Sequence, residues 1–74
     1  MKTFRAFIMN DDGNFIAAHV LDEVETDEQA VEAARMFAYK NAIEVWQGDR
    51  RIAELAKGGE IRHYRDAPAR RPDI

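Results

Sequence analysis

The chain has 74 residues, no cysteine, and a net charge of −3 at neutral pH. That length allows one domain with a small core, which supplies roughly 3–5 kcal/mol of net stability. Without cysteine, disulfides and thiolate metal sites are excluded, so a second subunit is the remaining way to reinforce so small a fold.

A hydrophobic fraction of 46% is that of a globular protein. No apolar run approaches the ~18 residues that span a bilayer. Met1-Lys2-Thr3-Phe4-Arg5 lacks the layout of a signal peptide, so a cytoplasmic protein is expected. The charge is uneven. Residues 1–56 carry six basic and eleven acidic side chains, and residues 57–74 carry five basic and three acidic. An acidic body argues against general nucleic-acid binding.

Thr3 to Met9 reads as a strand, followed by the turn cluster Asn10-Asp11-Asp12-Gly13-Asn14 and a return strand from Phe15 to Leu21. An even-length loop pairs Asn10 with Phe15, Ile8 with Ala17, Ala6 with His19 and Phe4 with Leu21. Asp11, Asp12 and Asn14 bring three oxygen-bearing side chains together, but they lack calcium-loop spacing and suit hairpin turn chemistry.

Thr26-Asp27-Glu28-Gln29 fits a capping box opening a helix from about Asp27 to Lys40, with Asn41 in a left-handed closing position. Ala30, Val31, Ala34, Phe37 and Ala38 fall on one stripe, and three of these five are alanine, so the helix can lie close to a sheet.

Ala42 to Gln47 is a third strand and Arg51 to Ala56 a fourth. A three-residue Gly48-Asp49-Arg50 loop sets Val45 opposite Ala53 and Ile43 opposite Leu55; a two-residue Gly-Asp turn would put charge on that apolar face. Lys57-Gly58-Gly59 then breaks the structure. Residues 58–74 are expected to form a flexible tail around a domain of residues 1–57, with an extended piece at Ile61 to Tyr64. The expected fold is α+β: ββαββ, a four-stranded antiparallel sheet of order 2-1-3-4 with one helix on one face.

A sheet with one wet face normally alternates apolar and polar residues. The first two strands do not. Phe4, Ala6, Ile8, Phe15, Ala17 and Leu21 lie on one side, and Phe7, Met9, Ile16, Ala18 and Val20 on the other. Whichever face the helix covers, large apolar groups remain on the opposite one. The residues expected at an interface are Phe7, Met9, Ile16, Val20, Trp46 and Ile52. Sheet-to-sheet stacking of two copies would bury them, and a tail folded over the face through Ile61 and Tyr64 is the competing cover.

No nucleophile, phosphate-binding glycine loop or convergent polar cluster marks an enzyme, and no cofactor is implied. His19, on an apolar strand face, reads as a structural histidine, and His63 as a solvated one. Trp46 with Arg50 and Arg51 could stack a base and hold phosphate. Arg62 and Arg65 add further contacts for an anionic partner. A non-enzymatic interaction module, a homo-oligomer or an accessory to an unidentified protein, is the leading expectation. A small nucleic-acid- or toxin-binding protein is the alternative.

The Asp12-Gly13 hairpin, the Thr26-Asp27-Glu28-Gln29-Ala30 helix start, and Val45-Trp46-Gln47-Gly48 before a basic hairpin ending at Leu55 together resemble a group of short uncharacterised bacterial proteins. That resemblance covers about residues 3–56 and implies no activity. The opening hairpin and the Thr26-to-Ala30 helix start are also similar to HicB-type antitoxins, which implies toxin binding. Those proteins carry a Pro-Asp-Leu-Pro-Gly-like stretch before the helix, where this chain has Leu21-Asp22-Glu23-Val24-Glu25.

Overall fold

A computed structural model describes residues 3–64. Five strands and one helix follow in the order β1 (Phe4–Met9), β2 (Phe15–Val20), α1 (Asp27–Arg35), β3 (Ala42–Gln47), β4 (Arg50–Leu55) and β5 (Ile61–Tyr64). Every strand pairing is antiparallel, and the sheet order is β2-β1-β3-β4-β5. The expected order 2-1-3-4 is present with a fifth strand added. The correction concerns Ile61 to Tyr64, expected in a tail. Gly58 and Gly59 both take positive φ (98° and 97°), conformations that cost glycine little, and they turn the chain straight back. The Ala56 N–H then donates to the Glu60 carbonyl at 2.7 Å, and β5 joins the β4 edge. Tyr64 packs against the helix-side core, so this segment extends the sheet rather than covering its open face.

The β1–β2 loop follows a three-residue pattern. The Gly13 N–H donates to the Asn10 carbonyl (3.0 Å), the Asn10 N–H donates to the Asn14 carbonyl (2.9 Å), and Gly13 has φ 86°. Asn10 Oδ1 also accepts from the backbone N–H groups of Asp12 and Asn14, each at 3.0 Å. Asn10 is therefore not opposite Phe15. Met9 is, and a bulge at Ile16 restores the expected pairing of Ile8 with Ala17 and Ala6 with His19.

The β3–β4 connection combines the two loop readings. The turn has two residues, with Gln47 opposite Arg50, and Gly48 at φ 62° sits where a II′ turn places glycine. Without further adjustment that turn would mix charge onto the apolar face. A bulge at Ile52 removes the conflict, so Val45 still meets Ala53 and Ile43 still meets Leu55.

Helix α1 starts where the capping signal places it. Thr26 is extended (φ −128°, ψ 162°), and its Oγ1 accepts from the Gln29 N–H at 3.1 Å. Gln29 Oε1 in turn accepts from the Glu25 N–H at 2.8 Å, one residue outside the usual capping-box donor. Thr26→Ala removes an acceptor for a helix-end N–H and should cost about 1 kcal/mol; an unchanged urea midpoint would show that the cap contributes nothing.

The α-helix is shorter than expected and ends at Arg35 instead of Lys40. Beyond it the chain tightens, with Phe37 N–H bonded to the Ala34 carbonyl (2.9 Å) and Ala38 N–H to the Arg35 carbonyl (3.1 Å). The Ala38 carbonyl accepts from the Gly58 N–H at 2.7 Å, since its own i+4 donor, Ala42, already belongs to β3. Asn41 does not take the left-handed conformation; its Nδ2 donates to the Met9 carbonyl at 3.0 Å.

The core lies between α1 and the sheet. Ala30, Ala34 and Ala38 are fully buried against Ala6, Ile43, Val45, Ile52, Ala53 and Leu55, closed at the margins by Phe4, Leu21 and Val31. The alanines let the helix backbone approach the sheet closely. The helix packs over β1, β3 and β4. β2 lies outside its cover, and all six of its residues are exposed.

Candidate interaction surface

The sheet face away from α1 divides into two halves. Toward β2 it is apolar and aromatic. Phe15 of β2, Phe7 of β1 and Trp46 of β3 form a row, with Phe15 and Phe7 ring centroids 5.4 Å apart and tilted by 47°. Phe7 and Trp46 meet in a T-shaped arrangement, with centroids 6.3 Å apart and planes at 88°. Such tilted and edge-on contacts match the ring quadrupoles and hold the row in one arrangement. Phe15 stands in this row because the Ile16 bulge moves it to Met9's side of the strand; an even loop had placed it on the helix side. The odd length of the Asn10–Asn14 loop, with glycine at its fourth position, is the sequence signal that could have found it.

Toward β4 and β5 the same face is polar. Trp46 Nε1 donates to Glu44 Oε1 at 2.9 Å, and Arg51 lies 3.4 Å from Glu44 Oε2. This chain of contacts orients the indole, and it engages two of the groups expected to reach a nucleic acid, Trp46 and Arg51. Arg50 is engaged as well. Its guanidinium makes two bonds to the Asp27 carboxylate (2.9 and 3.2 Å) and a third to Gln47 Oε1 (2.7 Å). The Asp27 bond holds the Arg50 pKa above its ordinary value. This fork ties the start of β4 to the first turn of α1, where a carboxylate also complements the helix dipole. Arg62 is exposed on β5, and Arg65 lies outside the described residues.

Of the expected interface residues, Phe7, Met9, Val20 and Trp46 lie on the open face. Phe7 and Trp46 are half-buried and Met9 is buried. Ile16 sits at the bulge. Ile52 is the correction: it is fully buried in the helix-side core, since the bulge sends it to the same side as Ala53. The exposed apolar surface is concentrated on β2, where Phe15, Ile16 and Val20 are 55%, 57% and 51% exposed. The centre of the face largely covers itself.

On the helix side of β2, His19 faces Ala6 as expected but is exposed rather than partly buried, with its ring stacked on Phe37 (4.5 Å between centroids, 13° between planes). Met36 and Tyr39, on the outer side of the turn after α1, are more than three-quarters exposed. Among the described residues, no helix is long and apolar enough to cross a membrane. Compared with protein families, characterised proteins and solved structures, the chain finds a match in none of the three.

Proposed function

We propose that this chain is a non-enzymatic interaction module of the cytoplasm that associates with a second copy of itself through the apolar end of its sheet. The observation that supports this reading is the wholly exposed strand β2, whose Phe15, Ile16 and Val20 continue the half-buried pair Phe7 and Trp46, while the only helix among the described residues lies on the other face. Contiguous apolar surface of this kind marks interaction sites. The reading as a nucleic-acid or toxin-binding protein relied on Trp46 with Arg50 and Arg51. Arg50 and Arg51 bind carboxylates of the same chain, which weakens their attraction for phosphate.

Sedimentation equilibrium tests the proposal. The wild-type chain is expected to have dimer mass at about 100 μM, a concentration at which a micromolar complex is almost fully formed. Phe15→Glu should shift it to monomer with an unchanged far-UV spectrum, because Phe15 lies outside the core. A wild type that remains monomeric would overturn the reading. A dimer lost steeply between low and high salt would favour a charged interface over an apolar one.

A further inference from the structure

Three features of β2 point to how a second copy engages. The strand is an edge of the sheet, it is exposed on both sides, and none of its six side chains carries a fixed charge. Natural edge strands are normally blunted by lysine, proline or charge. The opposite edge, β5, follows that rule, with Arg62 and His63 in the strand and Glu60 just before it. β2 has only a bulge, at Ile16, and this leaves Ala17 to Val20 regular.

The direction of its free backbone groups follows from the ladder. The Leu21 N–H donates to the Phe4 carbonyl at 2.9 Å, which makes Phe4–Leu21 a hydrogen-bonded pair. In an antiparallel ladder such pairs alternate with non-bonded ones. Ala6–His19 and Ile8–Ala17 are then bonded, while the N–H and C=O groups of Ala18 and Val20 point outward from the sheet edge.

We infer that a second copy adds to this edge, β2 against β2, antiparallel about a two-fold axis at Ala18, and joins two five-stranded sheets into one of ten strands. The inference rests on the self-association proposed above and places its contact at the β2 edge, which leaves Phe7 and Trp46 on the open face of the joined sheet. In this register Ala18 pairs with Ala18 of the other copy and exchanges backbone hydrogen bonds with it. Ala17 lies across from His19, and Ile16 across from Val20. Small side chains meet at the axis and large ones fill the ends, so the strand is complementary to itself, and no like charges oppose across the axis. A contact made by one six-residue strand from each copy belongs to the small interfaces, below about 1,200 Å² in total, which suits a reversible dimer. A two-fold contact also closes, whereas β2 adding to the charged β5 edge would build open filaments.

The absence of cysteine makes the register testable by thiol placement in the full chain. Ala17→Cys and His19→Cys are prepared separately. Residues 17 and 19 form a non-bonded pair across the axis, with Cα atoms about 4.5 Å apart, inside the disulfide range. Under mild oxidation an equimolar mixture is expected to give covalent dimer at least tenfold faster than either variant alone, because each alone places its thiol opposite a residue without one. Ala18→Pro removes an outward N–H without touching the β1 ladder, and it should weaken dimerisation at least tenfold with its spectrum unchanged. A wild-type dimer whose mixture cross-links no faster than the single variants would overturn the edge register while leaving self-association in place. A wild type that is monomeric at about 100 μM would overturn both. Larger open assemblies would replace the two-fold contact with the filament.

Discussion

Ile52→Ala is expected to leave the chain largely unfolded at 25 °C. Ile52 is fully buried, packed with Ile43, Val45 and Leu55 under α1. Truncating a buried isoleucine costs about 2–5 kcal/mol in lost transfer energy and residual cavity. A core of this size supplies roughly 3–5 kcal/mol, so one such loss consumes most of the margin. Met36→Ala is the matched control: it also truncates a large apolar side chain, but one that is 79% exposed and lies away from β2. Urea unfolding followed by far-UV circular dichroism should show little or no folded baseline for Ile52→Ala and a shift within about 0.5 kcal/mol for Met36→Ala. Equal shifts for the two would mean that Ile52 does not lie in the core.

The second large effect comes from adding volume. Ala34 has no exposed surface and faces the sheet from the last turn of α1. Ala34→Leu introduces three carbons into the fully buried layer between helix and sheet. The helix must lift, which opens gaps around Ala30 and Ala38 and strains the Arg50–Asp27 fork at its N-terminal end. Overpacking of this kind costs about 1–3 kcal/mol. Glu32→Leu, on the exposed side of the same helix, should change the urea midpoint by no more than about 0.5 kcal/mol. If Ala34→Leu were as mild as Glu32→Leu, the alanine stripe would not be setting the helix-to-sheet distance.

Both effects bear on the interaction surface. The small residues of α1 hold the helix tightly over β1, β3 and β4, and among the described residues nothing of similar size covers β2. The same economy that makes a compact core in a short chain leaves one apolar strand outside it. A dimer through β2 would add apolar burial that the monomer lacks, and the ligand-binding relation then makes stability rise with concentration. The mutations tested for folding should therefore be compared at one fixed protein concentration.

Element positions, sheet order and the helix start are legible in the residues because each depends on local chemistry. Alternating branched and aromatic residues mark the strands, Thr26 with Gln29 marks the cap, and short connections with one helical crossover leave few ways to order four strands. The face on which particular side chains stand is a different matter. A strand has a side-chain period of two, so a single inserted residue reverses everything on one side of it. Bulges at Ile16, Ile52 and Arg62 do this three times in 62 described residues. The first brings Phe15 into the row with Phe7 and Trp46, and the second takes Ile52 from an expected interface into the core. Bulges form where a turn's preferred length conflicts with the burial of an apolar face across several strands. That conflict exists only once the strands are assembled, and its resolution decided which residues the surface contains.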